Sequence, residues 1–365
     1  MGRHGAPPMY CFGMAKALSA YADVFCIVSS QAENLEMWHQ EAERNKRLSF
    51  HEVTTYNGKS SFILNTLNFR KYKRIAQIIN QFQPDILYSP FNHFWTKFIF
   101  PLVNCSIKVT TIHDIRLHVG EDSTWRKLFY GFFDYRTDRC VILSDVFREH
   151  VIKKYHYRDN NVVTIPHATY NQYADNPELD LTTHYKIIFF GRIIRYKGLD
   201  ILLKALKIVV RDIPNLQLLV VGNGDITPYQ QLLQENNDNV QLHVRWIKDN
   251  EVSSFFEQSD MAVLPYIEAS QTGIVPIANH FGKPTIVSDL GGLPYQVEDY
   301  VTGRIVPPNN PEALARAIID MYSEPEKLKE YKINAYKAAQ ENSWDKSARL
   351  FIEGFTKGLS DKPKS

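Results

Sequence analysis

Two cations five residues apart are the most chemically suggestive feature of this sequence. In FGRIIRYKGLDILLKAL (190–206), Arg192 and Lys197 lie between a short β-rich apolar run and an amphipathic helical repeat. In a parallel α/β sheet that position is a loop at the carboxyl end of a strand, where ligands of such folds bind. Arginine offers a bidentate fork and lysine a compact point charge. The pair therefore suits a diphosphate whose negative charge grows as a bond breaks. On spacing alone, solvated cations beside a helix account for it equally well.

Other positions point to the same crevice. TGIVPIANHFGKP (272–284) and SDLGGLPYQV (288–297) each set glycine close before a proline, which predicts helix starts with backbone N–H groups open to an anion. Thr272, Gly273 and Ile274 stand at the first, Gly291 and Gly292 at the second. Glu268, just after the run MAVLPY, can accept hydrogen bonds from sugar or ribose hydroxyls. His113 and Asp114 close the run VTTIHD in the other half of the chain. The reading aims His113 at the same crevice, where an imidazole can hydrogen-bond a transferred sugar.

Several chemistries are excluded. GNGD (222–225) is no dinucleotide fingerprint, because the G-x-G-x-x-G pattern and its later acidic partner are lacking. There is neither a G-x-S-x-G elbow nor a Walker lysine loop. The four cysteines are scattered without a Cys-x-x-Cys pair, which argues against zinc and fits a reducing cytoplasm.

These residues need parallel sheets to position them, and the chain supplies the pattern. With 365 residues, 44% of them hydrophobic, it is long enough for two cores. Apolar runs alternate with helical stretches throughout, which predicts βαβ units. In the first half ADVFCIVSS (22–30), HEVTTY (51–56), DILYSP (85–90), IKVTTIHD (107–114), CVILSD (140–145) and VVTIPH (162–167) read as strands. In the second KIIFFG, LQLLVVG, VQLHV, MAVLPY, PTIVSD and GRIVPP do so, each but the last leading into a helix. The predicted domains are residues 1–168, a polar linker over 169–184, a second domain over 185–343 and a terminal amphipathic helix with its tail over 344–365. The chain opens on a Gly/Pro loop and a helix, although a Rossmann half begins with the strand at the centre of its sheet. That predicts an incomplete or misassigned start.

Net charge is +2, but the basic excess lies in the first half, interleaved with aromatics in FRKYKR (69–74), FWTKFIF (94–100) and WRKLFYGFFDYR (125–136). This composition suits an anionic lipid surface. No run approaches the roughly 18 apolar residues of a membrane span, so a cytoplasmic protein, peripheral on the inner face of the cell membrane, is expected.

FGRIIRYKGLDILLKAL, VVGNGD, FFEQSDMAVLPY, GKPTIVSDLGGLPYQV and TGRIVPPNNPEALARAI occur in the order seen in family 4 glycosyltransferases, and NSWDKSA resembles their final motif. The resemblance covers residues 105–350 well and 1–100 loosely. It implies the α/β GT-B fold: two Rossmann-like parallel-sheet domains facing a cleft, with the last helix returning to the N-terminal domain. It matches Arg192 and Lys197 to the family's diphosphate-binding pair, His113 to its TxHD histidine, and Gly273 and Ile274 to backbone donors. Trp246 and Ile247 fall where the base is held, and Gly5 matches the N-terminal glycine loop. It also implies a retaining reaction without a metal or other cofactor. One departure is clear. Glu268 lies near the first glutamate of the family's E-x7-E motif, but Ile277 stands where the ribose-binding second one would.

The expected function is hexose transfer from a UDP- or GDP-sugar to a glycan or lipid-linked glycan acceptor, as in bacterial capsule, O-antigen or exopolysaccharide synthesis, with no nucleic acid partner. Alternatives are a nucleotide-sugar 2-epimerase on the same fold, or a catalytically silent glycan- or membrane-binding partner.

Overall fold

The computed structural model describes residues 5–56, 58–91, 93–113, 137–170, 173–174 and 176–356. Asp114, the aromatic-basic segment 125–136 and the C-terminal tail lie outside them. The described residues form two compact units, one from 5–113, 137–166 and 344–356, the other from 167–343.

In the first unit β1 (Val24–Ser29) pairs in parallel with β2 (Leu48–Val53), and β3 (Ile86–Ser89), β4 (Ile107–Ile112), β5 (Arg139–Ile142) and β6 (Val162–Thr164) form a separate parallel sheet in that order. β2 sits earlier than HEVTTY suggested, because Leu48 rather than the threonines supplies its buried start. The helices are α1 (Ala6–Leu18), α2 (Leu35–Arg44), α3 (Lys59–Thr66), α4 (Phe69–Phe82), α5 (Thr96–Ile99) and α6 (Arg148–Tyr155). α4 shows how the pattern works. Asn68 caps it by accepting from the Lys71 N–H, and Tyr72, Ile75, Ala76 and Ile79 bury one stripe at helical spacing.

The second unit holds one six-stranded parallel sheet, made of β7 (Lys186–Phe190), β8 (Gln217–Gly222), β9 (Val240–Val244), β10 (Met261–Leu264), β11 (Thr285–Ser288) and β12 (Gly303–Val306), in the order β12-β11-β10-β7-β8-β9. Its central strands are apolar on both faces because helices cover both. These are α7 (Leu199–Asp212), α8 (Gln230–Glu235), α9 (Val252–Glu257), α10 (Ile274–His280), α11 (Pro311–Ser323) and α12 (Pro325–Glu341). GRIVPP does lead into a helix after all: Asn310 caps α11, accepting from the Ala313 N–H at 2.9 Å. The last helix, α13 (Trp344–Thr356), belongs to the first unit. There Trp344 lies so close over Gly13 that a Cβ at that glycine would come within 2.4 Å of the indole.

β1 and β3 each keep one edge without a strand partner among the described residues. Between them lies a cavity of about 560 Å³ lined mainly by apolar side chains of β1, β3, α1, α4 and α13.

The central seam of the six-stranded sheet is β7 against β10, and Asp260 governs it from the amino end. Its fully buried carboxylate accepts from the backbone N–H groups of His184 and Lys186, from the Tyr322 hydroxyl at 3.0 Å and from the Lys332 ammonium at 2.9 Å. Lys332 is itself fully buried. Asp260→Asn keeps the shape but strands that ammonium, and should lower the unfolding free energy by about 3–5 kcal/mol. Urea denaturation checks this. Asp260→Leu with Lys332→Met should recover only part of the loss, since the apolar pair leaves no unpaired charge but strands the His184 and Lys186 N–H groups and the Tyr322 hydroxyl.

Candidate active site

At the carboxyl edge of the same sheet the chain turns sharply where β7 ends, and a glycine makes the turn possible. Gly198 has φ +69°, and a Cβ there would lie 1.9 Å from the Pro265 carbonyl oxygen. Only glycine lets the β7 loop press onto the exit of β10. The Tyr196 carbonyl accepts from the Ile267 N–H at 2.8 Å, sealing the two loops together. A second close approach joins β8: a Cβ at Gly222, φ +141°, would lie 1.9 Å from the Gly191 carbonyl oxygen.

This compression places Lys197. Its side chain is buried, and its ammonium donates to the Tyr266 hydroxyl at 2.6 Å. Tyr266 is buried too, and desolvation pushes its pKa up to about 12, with Thr272 and the positive charge of Arg192 partly opposing. The phenol is therefore neutral at physiological pH. Arg192 is exposed beside this pair.

The loop after β10 is held by a reciprocal side-chain clamp. The Gln296 carboxamide accepts from the Thr272 N–H at 2.9 Å and donates to the Thr272 carbonyl at 2.8 Å. Glu268 sits half-buried in this loop. Gly273 begins α10 against a buried pair, Tyr170 and His167, whose hydroxyl and ring nitrogen are 3.1 Å apart.

Two expectations change. The Ile274 N–H donates to Thr272 Oγ1 at 3.2 Å, so an anion binding there must displace that hydroxyl. SDLGGLPYQV forms a single 3-10 turn over Leu293–Tyr295 rather than an α-helix, and the Gly292 N–H donates to the Ser270 carbonyl at 2.8 Å. Gly291, at φ +54°, and Gly292 thus shape and fasten the loop instead of opening a helix start. Ile277 is buried in α10.

Trp246 and Ile247 follow β9 at the same edge of the sheet. The Arg245 guanidinium forks onto Glu251, which also accepts from the Lys248 N–H. The guanidinium hydrogen bonds come first in holding the Glu251 carboxyl down at about 2. The pinned loop leaves Trp246 42% exposed while Ile247 is buried, so the indole is presented to solvent on a rigid mount.

His113 and Gly5 belong to the first unit. His113 Nε2 is 2.7 Å from the Pro90 carbonyl oxygen, which can only accept, so Nε2 carries the proton. The ring stacks on Phe91, centroids 3.6 Å apart, and meets the edge of Tyr10 on α1. Gly5 caps α1 at φ +70°, its N–H donating to Glu33 at 3.3 Å. Sequence reasoning missed Tyr266, Gln296, His167 and Tyr170. The spacing carries no signal for partners that only the packing brings together.

With the geometry in place, comparison with known proteins fixes the class. Residues 174–338 match the family described as glycosyl transferases group 1. The D-inositol 3-phosphate glycosyltransferase of Streptomyces griseus is 30% identical over 187 residues, 48% of this chain and 39% of that protein. An uncharacterized glycosyltransferase of Haemophilus influenzae is 25% identical over 264 residues, 70% and 71% of the two chains. Among solved structures, Anabaena Alr3699/HepE in complex with UDP and glucose superposes with a TM-score of 0.72 at 18% identity, covering 98% of this chain and 97% of that one. The fold is GT-B, and residues 174–338 are similar to the group 1 glycosyltransferases. The chain spans between 39% and 61% of the length of the first three D-inositol 3-phosphate glycosyltransferases it matches.

The Lys197–Tyr266 contact is directly testable. Tyr266→Phe removes the oxygen that holds the ammonium, and should lower the unfolding free energy by about 1 kcal/mol in urea denaturation. Because the folded-state pKa of Tyr266 lies near 12 and its ordinary value is 10, its share of stability is present below pH 10 and lost as pH rises to 12. The stability gap between wild type and Tyr266→Phe should therefore narrow across that window.

Proposed function

We propose that this protein is a retaining hexosyltransferase that takes its sugar from a UDP-sugar, with GDP-sugars as the second donor class, and passes it to a glycan acceptor in bacterial surface polysaccharide assembly. One observation carries the reading: Lys197, locked by Tyr266 beside Arg192 at the carboxyl edge of β7, is a charged cradle for a diphosphate inside the family-matching segment. UDP comes first because Alr3699/HepE, alike in fold, was solved in complex with UDP and with UDP-glucose.

In the proposed reaction the bond between the anomeric carbon and the diphosphate oxygen breaks, the diphosphate leaves with the electron pair, the acceptor oxygen forms the new glycosidic bond, and its proton passes to the departing diphosphate. Arg192 and Lys197 stabilise that charge where it develops. Donor binding runs on these cations and on backbone N–H groups, without a metal. Glu268 orients sugar hydroxyls, Trp246 stacks on the base, and His113 acts on the transferred sugar.

A thermal-shift titration tests the donor reading. UDP at 100 times its dissociation constant should add about 2.7 kcal/mol of stability. EDTA should leave the shift intact, and Arg192→Ala with Lys197→Ala should abolish it. His113→Ala should keep the shift while losing turnover. A folded protein that no nucleoside diphosphate stabilises would overturn the assignment.

The acceptor is proposed to be lipid-linked, with the enzyme peripheral on an anionic membrane. Among the described residues no helix is long and apolar enough to cross a membrane. Support comes from the α3–α4 corner, where Leu64, Leu67 and Phe69 are 71%, 66% and 60% exposed beside the exposed Arg70, Lys73 and Arg74. Changing those three basic residues to serine should cost about 3 kcal/mol, on the order of a hundredfold in partitioning. Sedimentation with phosphatidylglycerol vesicles at low salt measures it. Equal sedimentation of the triple variant and wild type removes this surface from the reading.

A further inference from the structure

The hydrogen bonds around Tyr266 can run in one direction only. The Lys197 ammonium donates to the Tyr266 oxygen at 2.6 Å, and an ammonium has no lone pair with which to take a hydrogen back. The phenol keeps its own hydrogen at physiological pH, since its pKa lies at about 12. Tyr266 is only 2% exposed, so that hydrogen must find an oxygen inside the protein. Among the described residues its second hydrogen-bond partner is Thr272 Oγ1, at 3.5 Å. Tyr266 therefore donates and Thr272 accepts.

The chain ends at Thr272. Its Oγ1 also accepts from the Ile274 N–H at 3.2 Å, so both lone pairs of the hydroxyl are occupied. The hydroxyl's own hydrogen has no acceptor among the described residues. Yet the residue that carries it is held fast. Gln296 grips the Thr272 N–H and carbonyl, the preceding carbonyl of Ser270 accepts from the Gly292 N–H, and a β-branched side chain is stiff at χ1. Thr272 is 6% exposed. A donor hydrogen left unmatched in so closed a place costs about 1–3 kcal/mol, which an external acceptor removes.

Charge decides what that acceptor is. Hydrogen bonds in series polarise one another, and an oxygen that accepts from a cationic donor gives up its own hydrogen more strongly. Here the series starts at an ammonium, and a peptide N–H feeds the same threonine oxygen. The final O–H is tuned to an anion rather than to a neutral sugar hydroxyl.

We propose that the Thr272 hydroxyl donates to a diphosphate oxygen of the nucleotide-sugar, as the last member of a directed series Lys197–Tyr266–Thr272. Tyr266 is its positioning residue. The Ile274 N–H, which the family resemblance matches to a backbone donor for the ligand, acts inside the protein instead and fixes which way that hydroxyl points. This inference rests on the diphosphate reading given above.

Thr272→Val separates the two roles, because they predict opposite signs. Valine keeps the branched shape, and the Gln296 contacts survive because the backbone makes them. With the hydroxyl as donor, the valine variant loses a hydrogen bond to a charged group and should bind UDP about ten- to a hundredfold more weakly by calorimetry. With the Ile274 N–H as donor, the same change would release that group, and UDP would bind at least as tightly as to the wild type. That result overturns the proposal. Thr272→Ser keeps the hydroxyl and should stay within about threefold of the wild type. A serine variant as weak as the valine one counts against the hydroxyl. Should urea denaturation show that the valine variant does not fold, Thr272→Ala removes the hydroxyl with less bulk and carries the same comparison. Thr272→Val should also cost less affinity in a Tyr266→Phe background than in the wild type, and equal costs would remove Tyr266 from the series. A wild type that binds neither UDP nor GDP removes the diphosphate reading itself, an outcome distinct from equal binding by wild type and valine variant.

Discussion

The second unit depends on the register of β10 against β7. The seam is short, Met261 opposite Ile187 and Ala262 opposite Ile188, and it joins the two halves of the six-stranded sheet. Asp260 stands at its foot. It donates its own N–H to the Lys186 carbonyl at 2.7 Å and accepts from the His184 and Lys186 N–H groups. A slip of one residue would turn every side chain of β10 to the other face. A buried carboxylate needing several donors at once makes such a slip expensive, and Lys332 and Tyr322 tie α12 and α11 to the same point.

What is set at the foot is used at the top. With the two strands in register, the loops that leave their carboxyl ends meet, and Gly198 lets them touch. A flexible lysine becomes an ammonium at a defined place, because Tyr266 offers an oxygen and a ring face, the Nζ lying 4.6 Å from the ring centroid. Gln296 and Thr272 do the same for the loop after β10. Much of the polar chemistry at this edge is spent on holding loops still, the preorganisation that electrostatic stabilisation of a leaving group requires.

The first unit presents the opposite situation. Its two sheets are flanked by well-packed helices, with Trp38, Tyr72 and Trp95 fully or nearly buried. Yet the space where the sheets would meet is open, and strand edges face it from both sides.

The sequence by itself determined the fold class. Strongly apolar strands alternating with helices leave few options besides parallel sheets, and local spacing placed Arg192, Lys197, Thr272 and Gly273 on loops at one edge. Local pattern could not show which N–H groups are already engaged. Ile274 and Gly292 looked like anion donors until Thr272 and Ser270 were seen to hold them. Nor could it pair Lys197 with Tyr266, or Asp260 with Lys332, residues 69 and 72 positions apart. Those pairings were decided by tertiary structure alone, because a buried charge takes its partner from whatever the packing brings within hydrogen-bond reach, and sequence distance does not encode that reach.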